Sequence, residues 1–251
     1  MNQMKKYIFL CLLFFFPACF VSQTREGGIE RARLHYDAGL KYLQQNSLGE
    51  AKAEFSKAVL EDPDHPDYYN VLGLTYSKLT DYEEACKNFK KALKLNPDFS
   101  EARNGLASTL AILKRVDEAI SEWKKVLADP TYRFPETIHF NIANAYLDSG
   151  NLDSATEHYN AVLKFFPDHL MSHFNLGRIY EKNGKYDLAC EEYKKSVTID
   201  KAFVPAHFGL GENYFKLKKE KEAIEEFEMV LVLDPNSGFG EEAKKYLEKL
   251  K

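Results

Sequence analysis

The chain has 251 residues, of which 45% are hydrophobic and 29% charged, and its formal net charge is −4. These proportions are typical of a globular protein and exclude a disordered or low-complexity chain. The small excess of acidic residues argues against a nucleic-acid-binding protein, because binding to phosphates needs a basic surface.

The amino-terminal segment differs in composition from the rest of the chain. Two lysines precede an apolar run over residues 7–21 that only Pro17 interrupts. This run is too short to cross a membrane as a helix, which takes about 20 apolar residues. A basic start followed by a short apolar run is typical of an export signal, so residues 1–18 are predicted to be a signal peptide.

The residues before Cys19 resemble the lipobox of bacterial lipoproteins, in which the cysteine carries the lipid. Phe16 and Pro17 depart from the usual lipobox pattern, so a soluble export signal and an uncleaved anchor remain as alternatives. On the lipoprotein interpretation, residues 19–31 form a tether. Phe20 is not an aspartate, and in the bacterial sorting rule this favours the outer membrane, with the protein facing the periplasm.

A pattern with a period of 34 residues runs through the rest of the chain. Its clearest copy has Gly73 and Ala85 on either side of a turn, with Phe89 one helical turn after Ala85. The spacing between copies is constant except between the third and fourth, where Phe134-Pro135 adds two residues. The copies cover residues 32–65, 66–99, 100–133, 136–169, 170–203 and 204–237.

This pattern resembles the tetratricopeptide repeat, which has the same period and these signature positions. The resemblance implies an all-α fold, a right-handed α-solenoid of six antiparallel helix pairs. Gly73 and Ala85 agree with it, because neither is bulky where two helices would cross. Gly150 and Gly184 follow first helices and are predicted to take the left-handed conformation that ends a helix. Residues 238–251 have amphipathic spacing and are predicted to be a capping helix over the sixth repeat.

The resemblance also implies a concave face lined by positions 2, 5, 9, 12 and 13 of each first helix, counted from the start of the repeat. In the last three repeats we predict a partner-binding groove on this face. Its candidate residues are Phe140, Asn144, Leu147, Met171, Phe174, Arg178, Phe208 and Phe215.

Two interpretations of these groove residues remain open. Aromatic residues are common at position 5 in the family, so the three phenylalanines there could be ordinary packing. On the binding interpretation they anchor a segment of a partner protein, because a contiguous apolar strip with a few polar groups tends to mark a partner site. Asn144 and Arg178 would then hold main-chain carbonyls or a carboxylate.

No arrangement of residues typical of an enzyme occurs in the sequence, such as a glycine-rich phosphate loop, a serine nucleophile elbow or an HExxH motif. His169 and His173 have a spacing that could hold a metal, but His173 and His207 share one repeat position and are predicted to pack instead. Cys86 and Cys190 also share a position and are predicted to be small buried residues rather than a disulfide.

A signal, a lipid cysteine and six repeats together resemble the pilotin lipoproteins of type IV pili, which help to assemble the secretin pore. The resemblance implies a non-catalytic scaffold of the bacterial envelope, held to the membrane by a lipid anchor, with an outer-membrane secretin subunit as its protein client. An adaptor lipoprotein for cell-wall enzymes or for another envelope complex is the alternative. No cofactor, small-molecule substrate or nucleic acid is expected.

Overall fold

The computed structural model describes residues 25–250, and the predicted signal peptide and Cys19 lie outside this range. All regular secondary structure within it is helical, which confirms the predicted all-α fold. Helix α1 covers residues 25–44. The helices that follow are α2 (Leu48–Glu61), α3 (Pro66–Lys78), α4 (Tyr82–Leu95), α5 (Ser100–Ile112), α6 (Val116–Leu127), α7 (Pro135–Asp148), α8 (Leu152–Phe165), α9 (Leu170–Lys182), α10 (Tyr186–Ile199), α11 (Val204–Lys216), α12 (Glu220–Leu233) and α13 (Gly238–Leu250).

Residues 25–31 were expected to be part of the tether, but they form the described start of helix α1. Gly28 is buried beside the backbone of Glu61, at the end of α2. Arg31 Nη2 donates a hydrogen bond to Glu61 Oε2 at 2.7 Å. Because these contacts fix the segment on α2, residues 25–31 belong to the folded array rather than to a flexible linker.

The chain divides into two compact units, with the boundary between Asp129 and Pro130. In the first unit the successive helices α2 to α6 pack against one another, and α3 also contacts α5. In the second unit α7 to α13 pack in the same way, and α11 contacts both α9 and α13. Within each unit, therefore, the first helix of one repeat meets the first helix of the next, as expected when tetratricopeptide pairs stack.

Each repeat is built around one aromatic side chain of its second helix. These side chains are at most 2% exposed, and they are Phe55, Phe89, Trp123, Tyr159, Tyr193 and Phe227. Small residues on neighbouring first helices make room for them: a Cβ added to Gly73 would lie 2.9 Å from the ring of Phe89, and one added to Gly105 only 2.5 Å from it. The glycines are thus needed mainly to leave space for the aromatic ring, rather than to let Gly73 approach Ala85 closely.

The turn between the two helices of each repeat contains one residue in the left-handed conformation. The prediction for Gly150 and Gly184 is confirmed, with φ of 81° and 72°. Backbone hydrogen bonds close the turn, as from the Gly184 N–H to the Glu181 carbonyl at 2.9 Å. The same position in the other repeats holds non-glycine residues with φ between 57° and 62°, and these are Asn46, Thr80, Lys114 and Lys218.

Helix α13 covers the end of the sixth repeat, as predicted. Ala243 and Leu247 are buried there. The ring of Tyr246 stacks on that of Phe227 with 4.7 Å between centroids and 8° between planes. Tyr246 Oη also donates a hydrogen bond to Glu212 Oε1 at 2.9 Å. The cap therefore contributes both apolar burial and a polar anchor.

Candidate partner-binding face

A cavity of about 540 Å³ lies on the second unit, between the carboxyl-terminal ends of its first helices. Helices α7, α9 and α11 each contribute to it. Its lining residues are Leu147, Asp148, Arg178, Glu181, Lys182 and Lys216. Two of these, Leu147 and Arg178, are among the predicted groove residues, so the structure brings part of the predicted set together in one concave site.

Arg178 is a cation of this cavity that has no acidic partner among the described residues. Its side chain is exposed, and its Nη1 donates a long hydrogen bond of 3.3 Å to Asn175 Oδ1. The guanidinium lies 5.9 Å from the ring centroid of Phe174, within the range of a cation–π contact. No carboxylate of the described chain forms an ion pair with it, so its charge remains available to a ligand.

Glu181 and Lys216, by contrast, neutralise each other. Lys216 Nζ donates to Glu181 Oε1 at 2.7 Å, and Tyr193 Oη donates to Glu181 Oε2 at 2.9 Å. Burial lowers the pKa of Lys216, but the hydrogen bond and charge of Glu181 outweigh it and leave the pKa raised. The amine is therefore charged at neutral pH, and Glu181 is held in place by two donors.

The three position-5 phenylalanines are half-buried and pack within the array. Phe140 meets the rings of Tyr159 and His169 with centroid separations of 5.8 and 5.0 Å. Phe174 and Phe208 repeat the arrangement, each against the aromatic residue of its own second helix and a second ring at the start of the next helix. This geometry favours the packing interpretation for these side chains over that of free anchors.

The other predicted groove residues differ in how far their side chains are engaged within the protein. Asn144 Oδ1 accepts a hydrogen bond of 2.5 Å from Tyr159 Oη, so its acceptor is already occupied inside the protein. Phe215 packs edge-on against Tyr246 of the cap, with 5.2 Å between centroids. Met171 is 38% exposed and is free to contact a partner. The Nδ2 donor of Asn144, the atom that would hold a main-chain carbonyl, is not engaged by the bond with Tyr159, so the expected roles of Asn144 and Arg178 in holding a ligand stay predictions.

Sequence reasoning overlooked the charged lining of the cavity. Asp148, Lys182 and Lys216 all occupy position 13 of their repeats, and Glu181 occupies position 12. The resemblance already placed these positions on the concave face. Only the apolar residues Leu147 and Phe215 were selected at these positions, and the charged residues beside them were not.

The two histidines His173 and His207, at position 4 of their repeats, are buried as predicted, and they also make polar contacts. His173 Nδ1 lies 2.6 Å from Glu192 Oε2 on the second helix, and its Nε2 lies 2.7 Å from the carbonyl oxygen of Pro167. His207 makes the equivalent pair with Glu226 at 2.6 Å. Each of these histidines therefore ties the two helices of its repeat together through Nδ1, while its Nε2 lies within hydrogen-bond distance of a carbonyl in the turn before the first helix.

The remaining predicted chemistry can be placed within the described chain. Cys86 and Cys190 are buried free thiols, and burial raises the pKa of Cys190 to about 11, which keeps it unreactive at neutral pH. Residues 25–250 contain no cluster of three or more histidine, cysteine or acidic side chains suited to a metal. Every helix in the same range is too short or too polar to span a membrane.

Comparison with known families identifies the class of protein. A family model described as the tetratricopeptide repeat protein 21 C-terminal ARM domain matches residues 69–239, and one described as a tetratricopeptide repeat matches residues 32–65. The chain therefore belongs to the tetratricopeptide repeat family. No curated protein sequence matches it.

Several solved structures share this fold. PilW, described as a widely conserved type IV pilus biogenesis factor, has a TM-score of 0.74 at 21% identity, over 85% of this chain and 98% of that one. PilF of Pseudomonas aeruginosa has a TM-score of 0.72 at 19% identity, over 87% and 99%. YrrB, described as a TPR protein with an unusual peptide-binding site, has a TM-score of 0.63 at 18% identity, over 76% and 97%. The chain is thus a tetratricopeptide repeat protein that resembles pilus biogenesis factors in fold.

Proposed function

We propose that this protein is a non-catalytic scaffold of the bacterial envelope that captures a segment of a partner protein in the cavity of its second unit, and that the partner is an outer-membrane secretin subunit of a type IV pilus. The main support for this capture site is the guanidinium of Arg178, which has no acidic partner among the described residues and lies at a concave, partly apolar surface. The choice of client rests on the likeness in fold to PilW, a pilus biogenesis factor.

The chemistry of the cavity specifies the kind of segment. Its volume lies within the range of about 300–1,000 Å³ in which pockets hold small ligands or a few side chains. Leu147 offers an apolar contact, while Arg178 and Lys182 supply two cations that have no acidic partner among the described residues. An extended segment with an acidic side chain or a terminal carboxylate next to an apolar residue fits this surface.

The capture site can be tested by removing the guanidinium of Arg178. A hydrogen-bonded contact to a charged group contributes about 1.5–3 kcal/mol, so Arg178→Ala should weaken the complex roughly 10- to 100-fold. Arg115→Ala is the matched control, because Arg115 is a partly exposed arginine on the first unit that pairs with Glu118. The measurement is co-purification of the secretin subunit with each full-length variant, followed by a binding titration.

Three outcomes separate the parts of this proposal. Weaker secretin binding by Arg178→Ala but not by Arg115→Ala supports both the site and the client. Unchanged binding by Arg178→Ala places the contact elsewhere. Normal secretin multimers and pili after deletion of the gene reject the pilus client and favour a cell-wall enzyme or another envelope complex.

We further propose that a lipid on Cys19 holds the array at the outer membrane. Its support is the lipobox-like sequence before Cys19. Helix α1 already includes residue 25, and the chain between it and Cys19 can span at most about 20 Å, so the array would stay close to the membrane surface. A lipid contributes about 0.8 kcal/mol per buried CH₂ group. Labelled palmitate should enter the wild type and not Cys19→Ala, and equal labelling of the two would reject the lipid anchor.

A further inference from the structure

Position 4 of the first helix makes the same cross-helix contact in most repeats of the described chain. The residue there pairs with the one nineteen positions later, on the second helix. His35 lies 2.6 Å from Glu54, and Arg103 lies 2.7 Å from Glu122. The pairs of His173 and His207 with their glutamates follow the same rule. In these four repeats a basic side chain thus meets an acidic one.

The fourth repeat departs from this rule. Its position 4 is His139, and the residue that faces it is His158 rather than a glutamate. The two Nδ1 atoms lie 3.0 Å apart, and the rings are tilted by 42° with 5.1 Å between centroids. In the fourth repeat, therefore, the Nδ1 atoms of two imidazoles face each other. In the other repeats that have this contact, a basic side chain faces an acidic one.

The surroundings favour the neutral form of His139 and leave both imidazoles within reach of solvent. Burial lowers the pKa of His139, and Lys164 lowers it further, against an opposing effect of Glu157. Both histidines are only half-buried, so an ion from solution can reach them. The ring centroid of Tyr146 lies 5.8 Å from that of His158, and the ring centroid of Phe165 lies 6.5 Å from that of His139. Neutral imidazole nitrogens are preferred ligands of Zn²⁺, Cu²⁺ and Ni²⁺.

We propose that His139 and His158 form a two-histidine site for a divalent transition-metal ion. Two Zn–N bonds of about 2.0–2.1 Å at a tetrahedral angle separate the nitrogens by about 3.3 Å, so the present 3.0 Å would have to open by only a few tenths of an ångström. The ligands are on α7 and α8, two helices held together along their length. Water or a side chain of a bound partner completes the coordination, since the protein supplies two ligands.

The other repeats of the chain provide the variants that test this site. His139→Arg with His158→Glu recreates the Arg103–Glu122 pair of the third repeat, which the same fold already accommodates. It removes both imidazoles and restores an ion pair. His158→Gln removes one ligand and keeps an uncharged polar side chain. His207→Gln is the control, because it removes a histidine from the same repeat position but leaves the proposed site intact.

The experiment is a calorimetric titration of the full chain with Zn²⁺ at neutral pH, together with NMR of the imidazole nitrogens. We expect wild type and His207→Gln to bind one ion with the same affinity, with the Nδ1 resonances of His139 and His158 shifting on binding. Both His158 variants, folded by circular dichroism, should bind at least about 10-fold more weakly. Equal affinity in those folded variants, unshifted Nδ1 resonances while Zn²⁺ binds, or no binding of either Zn²⁺ or Cu²⁺ would overturn the proposal.

Discussion

The contact between the fifth and sixth repeats can be disturbed by a single methyl group. The ring of Tyr193 is 2% exposed and touches two glycines, Gly177 of its own repeat and Gly209 of the next. A Cβ on Gly209 would lie 2.8 Å from the Cε2 and Cζ atoms of the ring. Since carbon atoms pack at about 3.5–4.0 Å, the ring would have to move by roughly 0.7 Å or more.

Tyr193 has little freedom to make that movement. A shift away from Gly209 is opposed by the backbone of Gly177, which is so close to the ring that a Cβ added there would lie only 2.7 Å from it. The hydrogen bond from Tyr193 Oη to Glu181 also restrains the ring. Overpacking of this kind costs about 1–3 kcal/mol, and the restraints place this site in the upper part of the range. Alanine regains about 1 kcal/mol in helix propensity, so Gly209→Ala should destabilise the protein by about 1–2 kcal/mol.

Gly49 provides the control for the same substitution. It lies in the first turn of α2, with no atom within 4 Å of its Cβ position. Gly49→Ala should therefore leave stability unchanged or raise it by up to about 1 kcal/mol. The assay is urea unfolding followed by circular dichroism, with hydrogen exchange to localise the loss of protection to α10 and α11. A Gly209→Ala protein as stable as wild type would refute the argument that Tyr193 is held between the two glycines.

Two further substitutions test local features of the repeats by urea unfolding. Thr80 is a β-branched residue with φ of 62°, so Thr80→Gly should relieve strain and stabilise the protein by about 0.5–1 kcal/mol; a loss of stability would show that the threonine is not strained. The hydrogen bond with Glu226 raises the pKa of His207, so its charge stabilises the fold fully below about pH 6.5 and loses this effect as pH rises through the raised pKa. His207→Gln should accordingly cost about 1–2 kcal/mol at pH 6 and less at pH 9, and an equal cost at both would contradict a role for the charge.

The features that could be predicted from the sequence are those in which one residue type satisfies a demand of the backbone or of close packing. Gly150 and Gly184 were expected in the left-handed conformation because only glycine adopts it without steric cost. Of the two extra residues, Phe134 precedes helix α7 and Pro135 begins it, at a position where the missing N–H of proline costs no hydrogen bond. In both cases the local sequence contains the whole reason.

The features that escaped prediction depend on pairs of residues in different helices. His173 was judged by its own position, whereas its role is set by Glu192 on the other helix and by the carbonyl of Pro167 in the preceding turn. The hydrogen bond that Asn144 Oδ1 accepts from Tyr159 of the second helix was likewise not expected from the sequence. Side-chain pairing of this kind becomes visible only when the two helices of a repeat are brought together.

The repeats themselves then help to separate what the fold requires from what a ligand requires. Position 8 of the first helix is always small, glycine or alanine, because the aromatic ring of the second helix packs there. Position 9, one residue on, holds leucine, leucine, serine, asparagine, arginine and glutamate in successive repeats. Asn144 and Glu212 at this position accept hydrogen bonds from tyrosines of the array, whereas the guanidinium of Arg178 has no acidic partner among the described residues. The exposed charge of Arg178 at this position is therefore not explained by the fold, and the binding of a partner segment is the role that its geometry supports.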